Sequence, residues 1–302
     1  MEMDMSKIKL KSGYLNSDFE YFHIIDKKHM EFEFHYHDFN KIIIFISGNV
    51  TYLIEGKAYK LKPWDILFVN SHDVHKPIVS EYVPYERIVL WVNSSFLEFH
   101  NKGNSNLQTC FELASREKIC LLRLPAENIK SLQPVLFNLE AATKDQDFGN
   151  EVLKNSLFLQ LIVYINRVFL RRKLNTAFND IEYDRRIADI LDYINSNLKE
   201  DLSIKSLAAK FYISKYFLMH KFKADTGYTL HSYIQQKRLI KASDLIKLGM
   251  PIMEVYLDCG FGDYSSFIRA FKKTFNISPR DYFRTTKEMD ASYIYGTHFY
   301  NI

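Results

Sequence analysis

The chain has 302 residues, a length that exceeds one typical domain and suits two. A hydrophobic fraction of 47% with 15% aromatic residues excludes a disordered protein. The net charge of +4 is uneven, since residues 1–183 carry 22 Lys and Arg against 23 Asp and Glu, and residues 184–302 carry 18 against 13. The basic excess therefore lies in the C-terminal part, as expected if that part contacts phosphate groups.

Neither a disulfide framework nor a membrane span is indicated. The three cysteines have no metal-like spacing and fit a reducing cytosol. Residues 1–11 show no secretion signal. The longest apolar runs, Lys41–Ser47 and Leu157–Ile165, are far shorter than the ~20 residues that span a bilayer. We expect a soluble, cytoplasmic protein without a membrane partner.

Residues 30–99 have the pattern of short strands separated by turns. Glu33–His37 alternates with a period of two, Lys41–Ile46 is continuously apolar, and Glu55-Gly56 separates two strands as in a tight hairpin. No helical pattern interrupts these strands. The segment is therefore predicted to form a small antiparallel barrel or sandwich.

From Pro125 onwards the apolar spacing becomes helical. Two amphipathic helices are predicted within residues 125–172, joined by a loop at 144–149. Their apolar surface either covers the barrel or also forms a homodimer contact. The polar stretch 173–183 is predicted to be a linker, and the tail 289–302 gives no clear signal.

A motif repeats in the C-terminal third of the chain. Phe222-Lys223 recurs 49 positions later as Phe271-Lys272, and Gly227 aligns with Asn276. Gly and Asn both tolerate the left-handed conformation that ends a helix. Each copy is predicted to be a helix, a tight turn and a second helix, which makes a double helix-turn-helix.

Helix-capping signals support these units. Ser203 and Ser214 are placed to cap the two helices of the first unit, and Asp263 the final helix of the second. Thr229–Leu248 contains no Gly or Pro and is predicted to be one long helix between the units.

The second helix of each unit has an outward face of residue types that contact bases and phosphates. These candidate DNA-binding residues are Lys215, Tyr216, Met219, His220 and Lys223 in the first unit, and Tyr264, Ser265, Arg269, Lys272 and Lys273 in the second. A cationic helix face is usually only solvated. Two copies at a fixed offset favour a nucleic-acid interface.

Residues 187–284 resemble the DNA-binding domain of the AraC/XylS family of transcription regulators. The resemblance is carried by Leu207-Ala208, Ile213-Ser214-Lys215-Tyr216-Phe217-Leu218, Phe222-Lys223, Thr226-Gly227, Tyr233-Ile234, Arg238-Leu239, Ala242, Gly260-Phe261, Asp263-Tyr264-Ser265-Ser266-Phe267, Phe271-Lys272-Lys273 and Ser278-Pro279. Asn276 and Tyr282-Phe283-Arg284 depart from the usual family residues. The resemblance implies a regulator of double-stranded DNA, with recognition helices in successive major grooves about 34 Å apart and RNA polymerase as a candidate partner.

The N-terminal segment resembles the cupin barrel that many members of this family carry as a sensor. The resemblance rests on His35-x-His37, Gly48, Gly56, Pro63-x-Asp65 and His75. A metal-binding cupin would have Glu at position 41 and a third His near position 68, where this chain has Lys41 and Phe68. An ammonium beside two imidazoles opposes a divalent ion, so neither a metal nor another cofactor is predicted.

His35 and His37 share one face of the predicted strand. Three roles stay open for them: effector ligands, polar residues at the barrel rim, or metal ligands. Arg87 and Trp91 also share a face, and an Arg with an indole suits a sugar or a small anion, although a Trp is more often a core residue. The candidate effector-binding residues are His35, His37, Lys41, His75, Arg87 and Trp91.

The predicted fold is α+β with two domains. A cupin-like antiparallel β-barrel occupies residues 1–124, a helical pair for dimerisation 125–172, and an all-α double helix-turn-helix 184–288. The predicted function is a non-enzymatic, sequence-specific regulator, an activator that responds to a sugar-like effector. The alternatives are a metal-dependent cupin enzyme and a stress or virulence regulator without an effector. No catalytic residues are predicted, because no Ser/His/Asp or paired-carboxylate arrangement has convincing spacing.

Overall fold

The computed structural model describes residue 15 and residues 17–27, 32–80, 83–172, 181–182 and 184–285. The chain divides into two compact units, residues 1–183 and 184–302. Most of the predicted linker, residues 173–180, and the tail 289–302 lie outside the described residues. None of the described helices combines the length and apolarity that crossing a membrane requires.

The described part of the first unit contains nine short β-strands. They are β1 (Phe19–Asp26), β2 (Asn40–Ser47), β3 (Val50–Ile54), β4 (Lys57–Lys60), β5 (Ile66–Val69), β6 (His75–Val79), β7 (Tyr85–Val92), β8 (Leu121–Leu122) and β9 (Ile181–Glu182). Their ladders are antiparallel and form a five-stranded sheet, β1-β7-β2-β5-β8, and a four-stranded sheet, β6-β3-β4-β9. The predicted antiparallel architecture is confirmed. The two sheets do not close into a continuous barrel, because no ladder joins them among the described strands.

The Glu33–His37 segment explains part of this difference. Its alternating pattern predicts a strand, but it pairs through an isolated bridge, in which His35 and His75 exchange both backbone hydrogen bonds. The hairpin at Glu55-Gly56 forms as predicted: both residues have positive φ, 46° and 75°, and Ile54 pairs with Lys57.

Four helices complete the described part of the first unit: α1 (Ser94–Phe99), α2 (Thr109–Glu117), α3 (Ala126–Lys144) and α4 (Asn150–Arg171). The sequence predicts α3 and α4, whereas α1 and α2 are not predicted. On β2 and β7, alternate residues serve two cores. Ile42 and Leu90 pack in a cluster with α4 residues such as Phe158, whereas Ile43 and Val89 belong to a second cluster with Tyr52 of the other sheet. The helices therefore cover one sheet, which is one of the two roles expected of them.

The second unit is entirely helical in its described part. Its helices are α5 (Arg185–Ser196), α6 (Ile204–Lys210), α7 (Lys215–Thr226), α8 (Leu230–Lys247), α9 (Ile252–Asp258) and α10 (Tyr264–Phe275). The side chains of Ser203, Ser214 and Asp263 accept hydrogen bonds from the first turns of α6, α7 and α10. Gly227 and Asn276 end α7 and α10 in the left-handed conformation. These caps confirm the predicted double helix-turn-helix and its long connecting helix α8.

The two turns differ by one residue. Tyr212, after α6, and Gly260, after α9, both have positive φ, 53° and 79°. The second turn then contains Gly262 as an additional residue before the cap of α10. A Cβ on Gly260 would lie 2.3 Å from the carbonyl oxygen of Leu198, so this turn packs directly against the backbone that follows α5.

Candidate effector site and nucleic-acid interface

Three histidines meet in the first unit. The bridge to the start of β6 brings His35 beside His75, and His37 follows two residues later along the same segment. Their ring centroids lie 4.4 to 5.0 Å apart, and one nitrogen of each lies within 4.8 Å of the others. The structure thus joins residues that stand about forty positions apart in the sequence.

Backbone carbonyls orient two of these rings. Nδ1 of His35 lies 2.8 Å from the carbonyl oxygen of Glu33, and Nδ1 of His75 lies 2.8 Å from that of Asp73. A carbonyl only accepts, so each Nδ1 carries a proton and Nε2 of the neutral ring presents a lone pair. Nε2 of His75 is buried without a hydrogen-bond partner.

Burial keeps both rings neutral at neutral pH. It lowers the pKa of His35 to about 4 and holds the pKa of His75 well below its usual range. The positive charge of Lys41 acts on both in the same direction. The two imidazoles are therefore hydrogen-bond acceptors or ligands at Nε2.

Lys41 lies on β2 opposite Trp91 of β7 and is buried. Its Nζ is 3.4 Å from Nε2 of His37. Burial and then the charge of Arg87 lower the pKa of Lys41 to about 7. A lysine with this pKa readily changes its protonation state when its surroundings change.

Arg87 has a partner that the sequence analysis missed. Its Nη1 donates to Oδ2 of Asp26 over 2.6 Å, and its guanidinium lies 4.1 Å from the centre of the Tyr85 ring. Asp26 stands 61 positions earlier on the neighbouring strand β1, and no local pattern indicated this pairing. Sequence reasoning also missed Tyr85, whose buried hydroxyl has no hydrogen-bond partner.

Trp91 packs among other aromatic side chains. Its ring lies 4.9 Å from Phe22, 4.7 Å from Phe39 and 6.0 Å from His37. It is half-buried and contacts the interior cluster that contains Tyr52. Trp91 is thus both a core aromatic, the more common role of a Trp, and a neighbour of the histidines.

Among the described residues, these three histidines are also close enough together to hold a metal ion. No carboxylate joins them in that group, and Lys41 occupies the side of His37. An ammonium here opposes a divalent ion, whereas three neutral imidazoles favour one. The sequence-based expectation of a metal-free site stays a prediction.

In the second unit the ten candidate DNA-binding residues form two outward faces. All ten side chains are exposed. Even the large apolar ones are, with Tyr264 at 38% and Tyr216 at 69%. The opposite faces are held by Leu218 and Phe222 in α7 and by Phe267 and Phe271 in α10, each fully buried. The helices therefore present these side chains from a rigid core.

Charge pairing separates the lysines of α7. Lys221 is tied to Asp225 at 2.9 Å. Lys215 and Lys223 form no ion pair within the described residues, and the same holds for Lys272 and Lys273 of α10. Unpaired lysines on an exposed helix face are available to phosphate oxygens.

Residues outside these faces hold the units together. Arg238 of α8 donates from Nε to the carbonyl oxygen of Leu198 and from Nη2 to that of Glu200, both over 2.9 Å. Lys241 of α8 binds Asp258 at the end of α9. The Arg238-Leu239 pair belongs to the sequence resemblance, but its role as a clamp on the backbone after α5 is visible only in the structure.

Each of the two units contains a match to a known protein family. Residues 21–162 match the family described as AraC-like ligand binding domain, and residues 207–285 match the one described as Helix-turn-helix domain.

Curated relatives match along most of the chain. The transcriptional activator RhaR of Mannheimia succiniciproducens is 22% identical over 269 residues, which cover 85% of this chain and 90% of the relative. The activator RhaS of Citrobacter koseri is 26% identical over 248 residues, covering 82% and 86%. Among solved structures, the C-terminal domain of the response regulator AraT from Geobacillus stearothermophilus is 27% identical and covers 34% of this chain and 86% of that one, with a TM-score of 0.33.

Proposed function

Because the chain belongs to the AraC family of transcription regulators, we propose that it binds specific operators through both helix-turn-helix units in response to a small effector in its first unit. The observation that carries the DNA-binding part is the pair of exposed faces on α7 and α10, each backed by a buried aromatic core. The relatives are activators of transcription, so activation is the proposed outcome, with RNA polymerase as a partner.

The two helices enter successive major grooves on one face of the duplex, about 34 Å apart. Arg269 is suited to bidentate contact with guanine, and the lysines to phosphates. Tyr216 and Met219 offer apolar surface to thymine methyl groups. Recovery of genomic fragments on the purified protein, followed by gel-shift titration, tests this proposal. Equal affinity for recovered and random fragments would contradict sequence-specific binding.

The proposed effector site comprises His35, His37, Lys41, His75, Arg87 and Trp91. The three histidines lie together, Lys41 is opposite Trp91, and Trp91 packs against the interior cluster. They supply donors, acceptors and an aromatic face, which suits a sugar-like ligand without a metal. Thermal-shift screening with and without chelator tests both parts. A ligand at a hundredfold excess over its dissociation constant stabilises by about 2.7 kcal/mol. Stoichiometric metal in the protein, with a collapse of the melting temperature after its removal, would contradict the metal-free proposal.

We propose a sensor at residues 1–124, dimer helices at 125–172, a linker at 173–183 and a DNA-binding domain at 184–288. The end of this linker, Ile181–Glu182, forms strand β9 beside β4. Exposed apolar side chains support a homodimer through the helices: Phe137 of α3 is 73% exposed, and Val152 and Leu153 of α4 are 72% and 51% exposed. Analytical ultracentrifugation of the full-length protein and of Leu153→Lys should show a dimer that the variant weakens. A monomer at micromolar concentration would contradict this assignment. A fragment from residue 184 should bind DNA more weakly than the full chain.

A further inference from the structure

Two basic residues, Lys41 of β2 and Arg87 of β7, lie on the face of the sheet that packs against the interior cluster with Tyr52. We propose that the effector is a hydroxylated organic acid of the sugar-acid class, with its carboxylate bound by Lys41 and Arg87. This inference rests on the proposed effector site and narrows the chemistry of what fills it.

Among the described residues, Arg87 has a carboxylate partner and Lys41 has none. Asp26 pairs with Arg87 at 2.6 Å, so one carboxylate accounts for one of the two cations. Within the described residues Lys41 contacts no carboxylate, and its nearest hydrogen-bonding group is the imidazole of His37 at 3.4 Å. A buried cation without an anion is unfavourable. A ligand carboxylate supplies the missing charge.

The register of β2 and β7 places both basic residues on one face of the sheet. Lys41 lies opposite Trp91 across the β2–β7 ladder, and Arg87 is on the same face of β7, four residues before Trp91. Tyr85 is on that face too, below the guanidinium of Arg87. Tyr85 belongs to the interior cluster, and its buried hydroxyl is a donor without a hydrogen-bond partner. Lys41, Arg87 and Tyr85 thus lie on one face of the sheet, where they offer hydrogen-bond donors suited to a carboxylate.

The histidines account for the hydroxyl groups of the ligand. Nδ1 of His35 and Nδ1 of His75 are bound to backbone carbonyls, which leaves Nε2 of each as an acceptor. Nε2 of His75 has no partner. A carboxylate has no hydrogen to donate, so a simple anion leaves this acceptor unsatisfied. A polyhydroxylated acid satisfies the cations and the imidazoles together, and the Trp91 ring offers a face for its carbons.

A divalent metal on the three imidazoles is the competing occupant. The Lys41 ammonium lies against His37 and would repel such an ion, whereas it attracts a carboxylate. The charge of Arg87 adds to this effect. The acid is therefore the occupant that the surrounding charges favour.

Matched ligand pairs test the inference on the full-length protein. Calorimetry with chelator present compares D-galacturonate with D-galactose, D-glucuronate with D-glucose, and D-gluconate with D-glucitol. An acid should bind about tenfold or more tightly than its neutral partner. Lys41→Met should abolish this preference. Tyr85→Phe keeps the ring beneath Arg87 but removes the hydroxyl, and it should weaken acid binding. Lys60→Met, at an exposed lysine of the same unit, should change neither the preference nor the acid affinity.

The results that would overturn the acid inference differ from those that would overturn the proposed function. A neutral sugar that binds as tightly as its acid, in the natural protein and in Lys41→Met alike, overturns the acid inference and leaves the proposed effector function standing. Acid binding that requires an added divalent metal also overturns it. If no acid of the panel binds at millimolar concentration, the inference is overturned, while gel shifts of the same preparation report on DNA binding independently.

Discussion

The two units of this protein place their polar candidate residues in opposite ways. In the first unit they point inward, with His75 fully buried and Lys41 9% exposed. In the second they point outward, with Tyr216 69% exposed and the supporting Phe222 fully buried. A small ligand must be enclosed to be recognised, whereas a duplex is met on a surface. Substitutions at the two sites should therefore have different effects on folding.

The largest effect is expected in the framework of the second unit. Gly260→Ala would place a Cβ 2.3 Å from the carbonyl oxygen of Leu198 at a positive φ of 79°. The two nearest atoms, the Leu198 oxygen and the Lys199 Cα at 2.9 Å, both belong to the backbone and cannot move aside like a flexible side chain, so we expect a loss of about 3 kcal/mol or more in urea denaturation. Gly262→Ala is the matched control, because no atom lies within 4 Å of its added Cβ. Similar unfolding of both variants would show that the turn relaxes.

The next largest effect on stability is expected in the first unit, where the substitution should stabilise the protein. Lys41→Met removes a buried cation, and we expect the ligand-free protein to gain about 1–4 kcal/mol. Effector binding should be lost in the same variant. A protein that becomes less stable, yet keeps its ligand affinity, would place Lys41 in the framework rather than in the site.

The pH dependence sharpens this prediction. The folded pKa of Lys41 is lowered from 10.5 to about 7, so the unfolded chain holds the proton more tightly. The free energy of unfolding should therefore rise with pH between about 7 and 10.5, as far as Lys41 contributes. The groups that face Lys41 are His35, His37, His75 and Arg87. Melting curves of the natural protein and Lys41→Met across this range should converge as the pH rises; parallel curves would contradict the lowered pKa.

In the exposed site, Arg269→Ala should leave stability unchanged and affect DNA alone. Nη2 of Arg269 contacts only the neighbouring Ser266 hydroxyl, at 3.2 Å, among the described hydrogen bonds. We expect a cost of about 1–3 kcal/mol on the operator and a relaxed preference at one base pair. Arg284→Ala, at a 71% exposed arginine beyond α10, is the control. Unchanged affinity for matched and mismatched sites would remove Arg269 from the base contacts.

The smallest effect is expected at a phosphate contact. Lys223→Ala should weaken binding to all sequences about equally and reduce the salt slope of the affinity by about 1. Gel-shift titrations at several salt concentrations measure this slope. A change confined to one base pair would instead assign Lys223 to base recognition.

The second unit was largely predictable from sequence. Ser214, Asp263, Gly227 and Asn276 act within a few residues of their own positions, so local caps and turn residues define the helices. The repeat then indicated which helix faces point outward. No local signal indicated the role of Arg238, because its partners Leu198 and Glu200 lie about forty residues away.

In the first unit the sequence determined the antiparallel strands, and the residue types of the site, but not how they combine. The division of the strands into two sheets, the pairing of Arg87 with Asp26, and the burial of the unpartnered Tyr85 hydroxyl all depend on contacts between distant strands. Helix signals are local because a helix bonds to its own backbone four residues away. Strand partners are chosen by packing across the whole sheet, and therefore only the tertiary structure decided what surrounds Lys41.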